Sequence, residues 1–137
     1  MALVIDSSLT LAWIYLDELT PTTPQLSQSI NDTGAWVPST WRLEIANSLY
    51  FSVRRSSIDR AFRDRAIQDL SRLAISVDAA TGEFAWSTTV ALSDRFGLTM
   101  YDACYLELAQ RRELPLATLD KDLRNAAKAL DIPVLGV

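Results

Sequence analysis

Histidine is absent from this 137-residue chain, cysteine occurs once and glycine only four times. Each scarcity removes chemistry. Without histidine there is no Ser-His-Asp triad, no imidazole acid or base and no ordinary zinc site. A lone Cys104 permits neither an intrachain disulfide nor a thiolate metal cage, which suits a reducing cytoplasm. The few glycines form neither a P-loop nor a dinucleotide fingerprint. No stretch approaches the roughly 18 apolar residues of a membrane span. The apolar run Ala2 to Ile5 is too short for a secretory signal and is stopped by Asp6. These gaps lead to the expectation of a soluble, cytoplasmic protein with no membrane partner.

Hydrophobic residues make up 49% of the chain and charged residues 22%, an ordinary balance for a folded protein. The length suits one core and one domain over residues 1–137. A net charge of −4 argues at first against a nucleic-acid ligand. Its distribution is uneven. Residues 42–72 hold seven arginines against four acids, so this segment is +3 and the remainder −7. That asymmetry fits an RNA-facing helical arm beside an acidic pocket, or equally a solvated face laced with helical ion pairs.

Short β-forming runs alternate with longer helical segments, the pattern of an α/β domain with a mainly parallel sheet. The predicted strands are Leu3–Ile5, Ala35–Val37, Ile75–Val77, Leu116–Thr118 and Val134–Leu135. Helices are predicted over Ser7–Leu16, Pro24–Asn31, Thr40–Arg55, 82–96, Asp102–Arg112 and Lys121–Leu130. A further helix follows Asp59 as N-cap, its stripe of Phe62, Ala66, Leu70 and Leu73 expected to pack inward. The Pro38-Ser39-Thr40 start is expected to supply a stop and a capping hydroxyl for the 40–55 helix, and Gly97 to end the 82–96 helix in a left-handed turn.

Four acids interrupt apolar surroundings where open parallel sheets build their sites, outside the carboxyl ends of strands. Asp6 directly follows Leu3-Val4-Ile5, and Asp120 follows Leu116-Ala117-Thr118-Leu119. Asp102 opens a helix, where the free N–H groups favour a carboxylate. Glu44 lies roughly 100° around its helix from Ile45, at the border of the buried face. Each alone has a structural explanation as a cap or a solvated residue. Together they point to a divalent cation, because gathered carboxylates repel unless a cation neutralises them or protons stay on. Hard oxygen ligands suit Mg²⁺ or Mn²⁺, and such an ion acidifies a water for in-line attack on phosphorus. Ser7 and Thr118 place hydroxyls beside this site, and Asp122 is an outer ligand or a first-turn helix acid.

The runs Val4-Ile5-Asp6-Ser7-Ser8, Glu44-Ile45-Ala46-Asn47-Ser48-Leu49, Tyr101-Asp102-Ala103-Cys104-Tyr105-Leu106 and Ala117-Thr118-Leu119-Asp120-Lys121-Asp122 together resemble the PIN domain. The likeness is strongest to VapC-type toxins of toxin–antitoxin pairs and covers essentially the whole chain. It implies a single three-layer α/β domain with a mainly parallel sheet of about five strands flanked by helices. It further implies a Mg²⁺- or Mn²⁺-dependent endoribonuclease whose metal-binding and catalytic acids are Asp6, Glu44, Asp102 and Asp120. Partners implied are an RNA substrate, a small cognate antitoxin and a second copy in a homodimer.

Two rival readings remain at this point. A receiver domain also sets acids at strand ends and would use Asp78 as phosphoacceptor. A non-catalytic dimerisation or protein-binding module would use the carboxylates to hold a basic partner.

Overall fold

The computed structural model of the chain describes residues 2–15, 28 and 30–136. All five predicted strands form, and their pairing is parallel throughout, in the order β3-β2-β1-β4-β5. These are β1 (Leu3–Ile5), β2 (Ala35–Pro38), β3 (Ile75–Asp78), β4 (Leu116–Ala117) and β5 (Val134–Leu135). Central β1 is buried at every position, as expected of a strand covered on both faces. Its register pairs Leu3 with Ala35 on one side and Val4 with Leu116 on the other.

Around the sheet stand α1 (Ser7–Tyr15), α2 (Trp41–Arg54), α3 (Arg60–Ser71), α4 (Thr81–Phe84), α5 (Val90–Phe96), α6 (Met100–Arg112) and α7 (Lys121–Ala129). The core joins Val4, Ile5, Leu9 and Val37 to Ile45 and Leu49 of α2, Tyr105, Leu106 and Leu108 of α6, and Leu123 of α7. Of the expected Pro24–Asn31 helix, most lies outside the described residues, though residues 30–33 are helical. Among the described residues no helix is long and apolar enough to cross a membrane.

Local chemistry explains most boundaries. Asp59 caps α3 by accepting from the Phe62 N–H at 2.8 Å. Gly97 takes a left-handed φ of 66° and ends α5. The predicted 82–96 helix is one run with a π-helical turn, Ala85–Thr89, set between α4 and α5. The cap of α6 is Thr99, so Asp102 lies inside the first turn and does not open the helix.

Two expectations are corrected. Thr40 stands at the N-cap of α2 but makes no side-chain cap bond; its hydroxyl goes instead to Glu44. The α3 stripe does not sink into the core: α3 has no buried residue and Phe62 is 37% exposed. Leu70 alone of that helix packs against the core, while Phe62 lies parallel to the Tyr15 ring at 6.4 Å.

The receiver reading fails here. Receiver-type sheets order their strands 2-1-3-4-5, which places the third strand inside the sheet. Here β3 is an edge strand, and Asp78 at its end is only 1% exposed beneath Arg111 and Arg112.

Candidate active site

The site grows from the carboxyl end of β1. Asp6 is 2% exposed and accepts from the Leu9 N–H at 3.0 Å, so it does cap α1. It does more than cap. Ser8 donates to both of its oxygens at 2.8 and 2.9 Å, and the buried Thr118 hydroxyl at the end of β4 donates to Oδ2. Ser8 also accepts from the Leu119 N–H at 3.1 Å, and Thr118 accepts from the Asp120 N–H at 3.0 Å. The ends of the two central strands are thus tied through hydroxyls. Gly136 assists from β5: its φ is 109°, and a Cβ there would sit 3.1 Å from the Thr118 carbonyl oxygen.

Asp120 caps α7, its Oδ2 accepting from the Leu123 N–H at 2.8 Å. Asp102 rides the first turn of α6, whose cap Thr99 accepts the Asp102 N–H at 3.1 Å. Glu44 reaches in from α2. Its Oε1 accepts from Tyr105 at 2.9 Å and from Thr40 at 3.2 Å, and its Oε2 takes a long 3.5 Å contact from Ser7. The sequence singles out neither Tyr105 nor Ser8, and offers Thr40 only as a helix cap. The one available signal was spacing, since Tyr105 lies three residues past Asp102 and so on a neighbouring face of α6.

Burial dominates the electrostatics of these acids, and the charge of Asp102 adds to it at Asp6 and Glu44. Burial pushes the Asp6 carboxyl from its ordinary 3.8 up to about 6, against the pull of hydrogen bonds from Thr118, Leu9 and Ser8, with the Asp102 charge adding to the rise. Burial likewise raises Glu44, opposed by Tyr105 and Thr40 and reinforced by Asp102. Asp102 itself is raised by burial and by the charges of Asp120 and Asp122. Among the described residues none of these five acids joins an ion pair. Nor do three acidic or cysteine side chains among those residues stand close enough to make a ready-made ion cage.

The donor set fits Mg²⁺ or Mn²⁺ in kind. It is all oxygen, and such ions take one or two carboxylates and keep their waters, so a tight protein cage is not required. Burial is the first cause of all three raised carboxyls, and no cationic side chain among the described residues answers it.

A family model for the PIN domain matches residues 3–129. The chain is a member of the PIN domain family. PIN domains are in general nucleases and typically bind divalent metals. No curated protein matches this PIN domain in sequence, but solved structures share its fold. VapBC2 from Rickettsia felis, bound to a DNA fragment from its promoter, is 14% identical with a TM-score of 0.67, covering 98% of this chain and 97% of that one. FitAcB from Neisseria gonorrhoeae is 12% identical with a TM-score of 0.65, covering 98% and 96%. A toxin–antitoxin complex from Klebsiella pneumoniae is 18% identical with a TM-score of 0.58, covering 88% of each chain.

Proposed function

We propose that residues 1–137 form a Mg²⁺- or Mn²⁺-dependent endoribonuclease, the VapC-type toxin of a toxin–antitoxin pair, acting in the cytoplasm. One observation carries the reading: Asp6 is buried at the end of β1 and Glu44 and Asp102 are half-buried beside other acids, with no ion pair among the described residues to offset them. Structural carboxylates are ordinarily paired or solvated, and a partly buried group of like charges marks a functional site.

Asp6, Glu44, Asp102 and Asp120 would hold the ion. When bound, it supplies a Lewis acid for the scissile phosphate and acidifies a water for attack. The chain's own part is positional. Thr118 and Ser8 fix both oxygens of Asp6, and the cap bonds of Asp120 and Asp6 hold two acids at helix starts, so little reorganisation is left for the reaction.

The toxin assignment draws support from the neighbours, of which the Klebsiella pneumoniae structure is a toxin–antitoxin complex by name. A small antitoxin would find an apolar seat on this chain in the open groove of about 400 Å³ between α2 and α3, lined by Trp41, Leu43, Ala46, Ile67 and Leu70 among others. A homodimer is proposed alongside.

The purified protein should cut RNA only with Mg²⁺ or Mn²⁺ and stop when EDTA is added. Asp102→Asn should lower the rate at least about a hundredfold, as does loss of one electrostatic stabiliser in other active sites, with the circular dichroism spectrum unchanged. Cutting that survives EDTA, or metal-independent partner binding with no cutting at all, would sink the proposal and favour a non-catalytic module. Mapping new RNA 5′ ends after brief expression would then identify the cleavage site.

A further inference from the structure

Tyr105 has no exposed surface and sits in the core stretch of α6 among Ala103, Leu106, Leu108 and Ala109. Phenylalanine would fill that volume equally well, and a buried hydroxyl is costly unless it finds a partner. Its partner is Glu44, 61 residues earlier in the chain, at 2.9 Å. The same oxygen, Oε1, also accepts from Thr40 at the N-cap of α2, at 3.2 Å. Two hydroxyls on two different helices therefore converge on one atom of one carboxylate. Among the described residues Oε2 receives only a long 3.5 Å contact from Ser7, whose hydroxyl also lies against Tyr105. A carboxylate held by one oxygen has its rotation fixed and presents the other oxygen in a set direction.

We propose that Tyr105 is a positioning residue, seconded by Thr40, that locks Oε1 of Glu44 and so aims Oε2 into the acidic site as the atom offered to a divalent cation. The inference rests on the metal-dependent reading above. Partners of this kind, which orient a ligand without touching the ion, typically contribute ten- to a hundredfold in metal affinity.

Mn²⁺ binding to the intact chain, followed by calorimetry, tests it independently of catalysis. Tyr105→Phe should weaken Mn²⁺ binding about tenfold with the circular dichroism spectrum unchanged. In a Glu44→Gln background the same substitution should weaken it less than about twofold, because two changes acting through one group are not additive. A merely structural Tyr105 would give the same loss in both backgrounds. That result, or an affinity for Tyr105→Phe within about twofold of the original, overturns the proposal. Should Tyr105→Phe fail to fold, the half-buried Thr40→Val carries the same cycle against Glu44→Gln. Asp102→Asn separates the two levels. If the unaltered chain binds no Mn²⁺, or Asp102→Asn binds it equally well, the metal reading itself falls; if Asp102 matters and Tyr105 does not, this inference alone falls.

Discussion

Two groups of acids lie in this small molecule, and they are treated in opposite ways. Asp78 and Glu107, 1% and 2% exposed, are closed off by arginines. Arg111 bridges them, with 2.6 Å contacts to each, and Arg112 adds a 3.0 Å contact to Asp78. Both guanidinium groups also lie over aromatic rings, Arg111 at 4.6 Å from the Phe84 centroid and Arg112 at 3.6 Å from that of Trp36. Burial pushes the Asp78 carboxyl up, but the hydrogen bonds and charges of the two arginines outweigh it and leave it below its usual range. At Asp6, Glu44 and Asp102 burial wins, because hydroxyls and N–H groups are all that answer it. Burial alone does not set the direction in which an acid is shifted. Whether the chain supplies its own countercharge does.

The largest effect is expected on the paired side. Arg111→Met strands Glu107 in the interior and halves the support of Asp78. Removing one partner of a buried ion pair costs about 3–5 kcal/mol, readable as a lower urea midpoint. A loss under about 1 kcal/mol would mean that this network is no more than a surface pair.

On the unpaired side pH gives the next largest effect. The folded pKa of Asp6, about 6, lies above its ordinary 3.8. Its protonated form therefore favours folding, and that contribution is full below about pH 3.8 and lost as pH rises through about 6. Without metal, stability should fall across this window by on the order of 3 kcal/mol, with the raised carboxyls of Glu44 and Asp102 acting in the same direction. Asp6→Asn should flatten the slope. A metal-free chain whose urea midpoint rises with pH over this range would contradict the assignment of Asp6 as an uncompensated buried acid.

The smallest effect is the most specific. Mn²⁺ at ten times its dissociation constant should stabilise the chain by about 1.4 kcal/mol, seen as a higher melting temperature that EDTA reverses. Asp102→Asn should lose this shift, whereas Arg111→Met should keep it on its lower baseline. Equal shifts in both variants would place the cation elsewhere.

Much of this was legible in the residues because it is local. A strand end followed by an acid, as in Ile5-Asp6, can be read along the chain, and so can the Asp59 cap and the Gly97 stop. That Ser7 and Thr118 set hydroxyls beside the acids was legible too, but the part of Ser8 and the atoms these hydroxyls reach were not. Ser7 meets Glu44 across 37 residues and Ser8 meets Thr118 across 110, and nothing in a hydroxyl's neighbours announces a distant carboxylate. Thr40 misled for a related reason: two acceptors competed for one hydroxyl, and Glu44 won over the cap. The α3 stripe was correctly periodic, yet periodicity states which side of a helix is apolar and not how deeply its neighbours cover it. The π-helical turn at Ala85–Thr89 has no sequence marker that we can identify.

The central place of β1 makes the acidic centre a late product of folding. The bond from Thr118 to Asp6 spans 112 residues, and β1 has both its neighbours only when β4 lies beside it. A chain in which β4 has not yet docked therefore carries scattered acids and no assembled centre.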